Sequence, residues 1–236
     1  METKTQKLKL GIFLFLLFAM PFGAISQTIT AYVCGNGQAV LVPDFGTYTP
    51  VVGDKIVWSE VGGSAVEQAY NSPNFTTPTG LNDGEHKYTV HVIPADPLAC
   101  PGDNSDEYVI YKLPSTTITL ATVGTTYCTT APTTAVITST PTIAPPTGVT
   151  LDYTWTATNS VGGANVPITD LGSNAAGVFT FKSGVTPGAY IVTATAKYNT
   201  GAVPLRPTTS CELTSTNTQT VTVTAVPGKP TVTVAP

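Results

Sequence analysis

The chain has 236 residues, of which only 10% are charged, and a formal net charge of −4 at pH 7. A weakly acidic chain without a basic stripe is poorly suited to nucleic acid or to an anionic membrane surface, and we predict neither partner. With so few charges, the surface must be solvated mainly through uncharged polar groups. Threonine supplies them, with 44 residues, and it is β-branched and favours extended backbone. Thr- and Pro-rich chains can form disordered stalks, but the apolar share of 42% is enough for a packed core.

The first 26 residues have the layout of a secretory signal peptide. Lys4, Lys7 and Lys9 form a basic segment, an uncharged apolar run covers residues 10–20, and small residues precede Gln27. The apolar run is shorter than the stretch of about 20 residues that a membrane-spanning helix needs. We therefore predict cleavage before Gln27 and a mature chain without a membrane span, extracellular or at the cell surface. An uncleaved anchor is the alternative.

Short runs rich in Val, Thr, Ile and Tyr follow, separated by Gly, Pro, Asn and Asp turns, which is typical of an antiparallel β-sandwich. No later stretch shows a helical period. In the first half the predicted strands are Thr28–Val33, Gln38–Val42, Lys55–Glu60, Lys87–Ile93 and Glu107–Leu113. In the second half they are Thr116–Thr122, Thr134–Thr140, Asp152–Ala157, Val178–Lys182, Ala189–Tyr198 and Thr218–Val226.

The order cysteine, tryptophan, cysteine occurs twice and uses all four cysteines and both tryptophans. An even cysteine count in an exported chain indicates disulfides, and four cysteines can pair in three ways. We predict Cys34–Cys100 and Cys128–Cys211, because each bond then closes within one unit. Zinc is the competing use, but the chain has no C-x-x-C pair and no histidine near a cysteine in sequence.

The two halves align as an internal repeat. Trp58 corresponds to Trp155, and the turn Val61-Gly62-Gly63 corresponds to Val161-Gly162-Gly163. We place a first domain at residues 27–114, a second at 115–227, and a linker or the start of a further repeat at 228–236. The second domain is longer, mainly at residues 141–147 and 200–210, and we expect such insertions to lie in loops.

A tryptophan on a middle strand, and a tyrosine that follows a glycine turn on a late strand, are immunoglobulin-like features, here Trp58 with Tyr88 and Trp155 with Tyr190. Two residues past each tyrosine, where an antibody domain has its second cysteine, this chain has valine. The second cysteine instead precedes the last strand.

This arrangement, and the segment Val33–Leu41 above all, resembles the Ig-like and PKD-like tandem repeats of bacterial secreted and cell-surface proteins. The resemblance covers the whole mature chain. It implies an all-β fold, with two tandem antiparallel Ig-like β-sandwiches after the signal peptide, and it supplies no active site and no cofactor.

Candidate catalytic groups are scattered. A nucleophile needs an adjacent base, and the two histidines, His86 and His91, are five residues apart near one predicted strand and should face opposite ways. The acidic residues are equally dispersed, without the converging pair that a glycosidase uses. We therefore expect a protein that is not an enzyme.

Two binding sites remain open alternatives. Asp103 and Asp106 lie in the densest acidic segment, next to Cys100, and could bind calcium, although their spacing does not match an EF-hand loop and a solvated hairpin end is the simpler interpretation. Asn74-Phe75-Thr76 matches a glycosylation acceptor, a triplet that is frequent by chance in a Thr-rich chain.

Aromatic side chains could form a ligand-binding surface. Trp58 and Trp155 occupy core positions, so the better candidates are Tyr48, Tyr70 and Phe75 in the loop-rich middle of the first unit. We predict a non-catalytic spacer, adhesion or protein-interaction module whose partner is a protein or glycan at the cell surface. The alternative is a carbohydrate-binding accessory module of a secreted polysaccharide-processing system.

Overall fold

The structure, a computed structural model, describes residues 28–131, 135–207 and 211–232. The predicted signal peptide, residues 1–26, lies outside the described residues, as do the last four residues of the tail. Within the described ranges, the only helix covers Ile168–Leu171, and no helix has the length and apolar character needed to cross a membrane.

We call residues 28–114 the N-terminal unit and residues 115–232 the C-terminal unit. The N-terminal unit contains β1 (Ile29–Val33), β2 (Val40–Leu41), β3 (Lys55–Glu60), β4 (Ala65–Ala69), β5 (Phe75–Thr76), β6 (Gly84–Ile93) and β7 (Tyr108–Lys112). The C-terminal unit contains β8 (Ile118–Val123), β9 (Thr126–Cys128), β10 (Val136–Pro141), β11 (Thr150–Asn159), β12 (Asn165–Val166), α1 (Ile168–Leu171), β13 (Gly172–Ala175), β14 (Val178–Phe181), β15 (Gly188–Asn199), β16 (Leu205–Arg206), β17 (Glu212–Thr214) and β18 (Gln219–Thr224).

Each unit consists of a large sheet packed against a smaller one. In the N-terminal unit the strand order β1-β7-β6-β3-β4 faces the hairpin-like pair β2-β5. In the C-terminal unit the order β12-β11-β15-β18-β9 faces β13-β14-β10-β8. The prediction of an all-β sandwich fold is confirmed.

The cores follow from the two-residue period of the strands. Along β15, alternate side chains point inward and are buried: Tyr190, Val192, Ala194, Ala196 and Tyr198. Trp58 lies at the centre of the N-terminal core, where Phe75 stacks on it at 5.7 Å between ring centroids. Trp155 holds the same kind of place in the C-terminal core, next to Phe179.

The sheets are antiparallel, as predicted, except at the first strand of each large sheet. β1 pairs with β7 in parallel, and β9 pairs with β18 in parallel. In each unit the first strand of the large sheet lies next to its last strand. The two strands run in the same direction, so they pair in parallel. The remaining pairs within each unit are antiparallel.

Every predicted strand coincides with an observed strand, and β3 has the predicted bounds. The short strands β4, β5, β9, β12, β13, β16 and β17 were not predicted. In β4 the reason is plain, since four of its five residues are exposed and no apolar alternation marks it.

Candidate functional site

The most informative site is the junction between the two units, where a segment of the C-terminal unit crosses to the N-terminal one. We call residues 200–207, together with Cys211, the docking arm. Its strand β16 pairs in parallel with β1, with Leu205 beside Tyr32. The Tyr32 amide donates to the Pro204 carbonyl at 2.8 Å, and the Cys34 amide donates to the Arg206 carbonyl at 3.0 Å. The insertion at residues 200–210, which we expected to lie in a loop, thus contains the two-residue strand β16.

A disulfide closes this contact. Cys34 is bonded to Cys211, with their Cα atoms 5.7 Å apart, whereas Cys100 and Cys128 are free and exposed. The predicted bonds Cys34–Cys100 and Cys128–Cys211 are therefore wrong in this structure. The link joins the two units instead of closing each one.

The sheet register explains the correction. Val33 lies beside Lys112, which lies beside Gly84 at the start of β6, so Cys34 is at that end of the N-terminal unit. Cys100 follows the other end of β6, about 30 Å away at the rise of a β-strand. In the C-terminal unit, β15 likewise separates Cys128 from Cys211 along the length of the sheet.

The junction also contains a continuous hydrophobic contact. Tyr32 and Leu113 of the N-terminal unit belong to the buried cluster of the C-terminal core. The Tyr198 hydroxyl donates to the Pro114 carbonyl at 2.9 Å, and burial, with smaller effects of Asp83 and Tyr111, raises the pKa of Tyr198 to about 12. The Lys112 ammonium donates to the Gly35 carbonyl. The two units are therefore joined by packing, strand pairing and a covalent bond.

Gly37 leaves room for the docking arm. A Cβ atom at this position would lie 2.3 Å from the Pro207 Cδ and 2.4 Å from the Arg206 carbonyl oxygen. We expect Gly37→Ala to displace the arm and to speed hydrogen exchange of the Tyr32 and Cys34 amides several-fold, because both amides are bonded to carbonyls of the arm and exchange when it is released. Gly80→Ala is the control that should leave these exchange rates unchanged, since a Cβ there meets no atom within 4 Å.

The three aromatic residues predicted to bind a ligand do not form one surface. Phe75 is only 8% exposed and packs against Trp58 and Tyr88, so its prediction as an exposed residue is wrong. Tyr70 is half-buried. Tyr48 is 42% exposed and lines a cavity of about 320 Å³ at the end of the N-terminal unit remote from the junction, to which neither of the other two contributes.

That cavity brings polar and aromatic side chains together at the loop between β6 and β7. Its wall includes Asp44, Phe45, Tyr48, His91, Cys100 and Asp103. The His91 Nδ1 atom is buried without a partner in the described part of the chain. Across those same described ranges, no three metal-ligating side chains are grouped so as to hold an ion, and Asp106 does not line the cavity.

Asp54 organises the rim of this cavity. Its carboxylate accepts from the Tyr48 hydroxyl at 2.6 Å, the Val51 amide at 2.8 Å and the Ala95 amide at 2.9 Å. These bonds, that from Tyr48 foremost, lower the pKa of Asp54 below its ordinary value, and the Asp54 carboxylate raises the pKa of Tyr48. Asp54 thus fixes both Tyr48 and the start of the β6–β7 loop.

This network predicts an acid-sensitive loop. Because the pKa of Asp54 is lowered in the folded chain, its contribution is fully present above the ordinary carboxyl pKa of about 4 and is lost as the pH falls through the folded value. We expect proteolysis of residues 94–105 by an acid-active protease to rise in that range. Asp54→Asn should raise cleavage of this loop by thermolysin at neutral pH and should remove most of the rise that the acid-active protease detects at low pH, whereas Asp44→Asn should do neither.

The histidines occupy different environments. The His86 ring hydrogen-bonds Glu60 at 2.9 Å and the Asn82 carbonyl at 2.8 Å, far from the cavity that His91 borders.

The Tyr190 hydroxyl donates to the Thr186 carbonyl at 2.7 Å, four residues upstream, as in a tyrosine corner. The docking arm was not predicted from the sequence. Its one local signal is the dipeptide Pro204-Leu205, which places an apolar side chain in a long insertion.

No protein-family model matches the chain, and no curated protein gives a significant match. Among solved structures, the chain is similar to the fibronectin(III)-like modules of CbhA from Clostridium thermocellum, at 13% identity and a TM-score of 0.37, over 85% of this chain and 93% of that one. The FN1–FN3 domains of chicken CNTN1 share 11% identity at a TM-score of 0.36, over 84% of this chain and 66% of theirs. Murine CEACAM1b shares 10% identity at a TM-score of 0.35, over 82% of this chain and 96% of that one. These similarities are too distant to indicate a function, and the assignment to an all-β Ig-like sandwich fold rests on the chain's own sheets.

Proposed function

We propose that the protein is a secreted or surface-exposed, non-catalytic spacer built from two Ig-like domains, residues 27–114 and 115–227, that holds adhesive or protein-binding surfaces at a fixed distance. The observation that carries this proposal is the junction. Two sandwiches joined only by a flexible linker would move independently, as is usual for small interfaces between domains. Here the Cys34–Cys211 bond and the β1–β16 pairing add a second connection between the units beside the linker at Pro114, and so restrain the hinge.

The exposed surface fits the same role. Threonine hydroxyls cover strand faces and pair across strands, as between Thr156 and Thr193 at 2.5 Å. Surface ion pairs are few and weak in such a chain, so its shape should depend little on ionic strength. The disulfide agrees with an oxidising, extracytoplasmic location.

Spin labels on the two free cysteines test the rigidity directly. Cys100 and Cys128 are exposed and lie at opposite ends of the pair of units, so labels there should be separated by up to about 65 Å. We expect a narrow distance distribution in the oxidised protein and a broad one after Cys34→Ser with Cys211→Ser. A broad distribution in the intact protein would contradict the spacer.

The carbohydrate-binding alternative now depends on Tyr48 and its cavity, since Phe75 is buried. A glycan array distinguishes the two roles. Binding that Tyr48→Ala abolishes and Tyr70→Ala preserves would favour a carbohydrate-binding module. The spacer role predicts no glycan binding to this cavity.

A further inference from the structure

The cavity at the end of the N-terminal unit remote from the junction, which we call the distal cavity, combines negative charge with aromatic rings. Its volume of about 320 Å³ lies within the range of ligand-binding pockets. Its wall includes the carboxylates of Asp44 and Asp103 and the rings of Phe45 and Tyr48. We propose that the distal cavity binds the guanidinium group of an arginine side chain that belongs to a partner protein.

The two loops that form the distal cavity are uniformly acidic. Residues 42–54 and 94–106 contain no lysine and no arginine, although the whole chain has 10 such residues. Among the described residues, no lysine or arginine lines the cavity, and Lys55, at the end of the sheet beside it, is paired with Glu67 at 2.9 Å. A cleft lined by charge of one sign attracts groups of the opposite sign. The acidic residues of the two loops are Asp44, Asp54, Asp96, Asp103 and Asp106.

The aromatic part of the wall favours a planar cation. A guanidinium group stacks on the face of an aromatic ring and donates two parallel hydrogen bonds to a carboxylate. It is also less strongly hydrated than the compact ammonium group of lysine, so its transfer from water into a cavity costs less. Tyr48 is 42% exposed, which leaves its ring accessible to such a group. Arginine therefore matches both the rings and the carboxylates of the wall.

Both sides of the distal cavity are fixed by hydrogen bonds within the N-terminal unit. On one side, the Ser105 amide donates to the Val90 carbonyl at 2.8 Å, and the Ser105 hydroxyl accepts from the Val90 amide at 3.0 Å, which fastens the β6–β7 loop to β6. On the other side, the Tyr48 hydroxyl donates to Asp54 at 2.6 Å. A site that is already ordered loses less conformational entropy when it binds a ligand.

Exposed apolar side chains in the same two loops indicate that the arginine belongs to a protein. Val51, Val52 and Leu98 are 56%, 77% and 91% exposed. The two loops touch, since a Cβ atom at Gly53 would lie 2.8 Å from the Cβ of Ala95. Arginine is enriched in protein interfaces, where it serves as an anchor surrounded by contacts that exclude water. A small free cation would leave the three apolar side chains in water.

This site goes beyond the proposed function and does not rest on it. The distal cavity and the junction lie at opposite ends of the N-terminal unit, and the binding of arginine requires only the loops that form the cavity. The spin-label distances and the binding of arginine can therefore fail independently.

The two free cysteines allow a test with an internal control. Cys100 lines the distal cavity, whereas Cys128, which is also free and exposed, lies in the C-terminal unit. The probe is a capped Gly-Arg-Gly peptide added to the full exported chain, and mass spectrometry follows the alkylation of each thiol by iodoacetamide. We expect the arginine peptide at millimolar concentration to slow the alkylation of Cys100 several-fold and to leave Cys128 unchanged. The same peptide with citrulline, which has nearly the same shape without the charge, should protect neither thiol.

Variants of the cavity wall locate the bound group. Asp103→Asn should raise the peptide concentration needed for half-protection of Cys100 about threefold, as is usual for an exposed charge pair. Tyr48→Leu should have an effect of similar size through the loss of the aromatic face. Asp106→Asn is the matched control, because it makes the same charge change in the same loop outside the cavity, and it should leave the half-protection concentration unchanged. Asp103 and Asp106 are both exposed, so neither substitution should impair folding.

Equal protection of Cys100 by the arginine and citrulline peptides would overturn the proposal, because the charge would then play no part. Equal effects of Asp103→Asn and Asp106→Asn would also overturn it, since the cavity would then not be the site. A lysine peptide that protects as well as the arginine peptide would overturn the choice of arginine. Protection by a neutral oligosaccharide and not by the arginine peptide would replace the proposal with the carbohydrate-binding alternative.

Discussion

Replacing Cys34 and Cys211 together by serine should lower the free energy of unfolding by up to about 5 kcal/mol, because the bond closes a loop across 177 residues of sequence. For a chain of this size that corresponds to a fall in the thermal midpoint of about 10–20 °C. Differential scanning calorimetry of the oxidised wild type and the double variant measures it.

The same substitution should separate the unfolding of the two units. Each unit contains one tryptophan, Trp58 or Trp155, so Trp155→Phe and Trp58→Phe variants report one unit at a time by fluorescence. With the bond intact, the urea midpoint from fluorescence should coincide with that from circular dichroism within each variant; without the bond, the two midpoints should diverge. Cys100→Ser with Cys128→Ser is the matched control and should leave both midpoints unchanged, since those thiols are exposed and unpaired.

Peptide mapping under non-reducing conditions decides the connectivity independently. The structure predicts one linked peptide pair, containing Cys34 and Cys211. Linked peptides that contain Cys34 with Cys100, and Cys128 with Cys211, would instead support the connectivity predicted from the sequence. The two units would then have no covalent bond between them apart from the backbone. Stability of the double serine variant equal to that of the wild type would instead show that no bond at Cys34 or Cys211 stabilises the fold.

The difference between expected and observed connectivity shows what a single sequence can reveal. Strand positions were predictable because they depend on local alternation, as in β15, and the burial of Trp58 and Trp155 followed from their place on middle strands. Disulfide connectivity depends on which ends of the sheets meet. The parallel pairing of β1 with β7, which no local pattern marks, determines that Cys34 faces the next unit.

The candidate ligand residues illustrate the same limit. Tyr48 is held at the surface by Asp54, a contact between residues six apart, and its exposure was predicted. Phe75 lies in a loop-rich segment and was predicted to be exposed, but the two-residue strand β5 pairs with β2 and turns it into the core. Such short strands carry too few residues to show a period.

The second large effect concerns the core tryptophans. Trp58 is 1% exposed and contacts Phe75 and Tyr108 at centroid distances of 5.7 and 5.6 Å. We expect Trp58→Ala to cost about 3–5 kcal/mol, as is typical for truncation of a buried aromatic residue. Trp155→Ala should cost a similar amount, because Trp155 is 4% exposed and packs against Phe179. Urea denaturation followed by circular dichroism measures both.

Substitution by phenylalanine should distinguish the two positions where alanine does not. The Trp58 indole donates to the Pro73 carbonyl at 2.8 Å, whereas the buried Trp155 indole nitrogen has no partner within the described residues. Trp58→Phe removes a hydrogen bond and leaves a carbonyl without its donor, and Trp155→Phe removes a polar group that was already unpaired. We therefore expect Trp58→Phe to be the more destabilising by about 1 kcal/mol. Equal costs at the two sites would mean that Trp155 has a partner, such as a bound water, and that the two cores are more alike in their polar contacts than the geometry indicates.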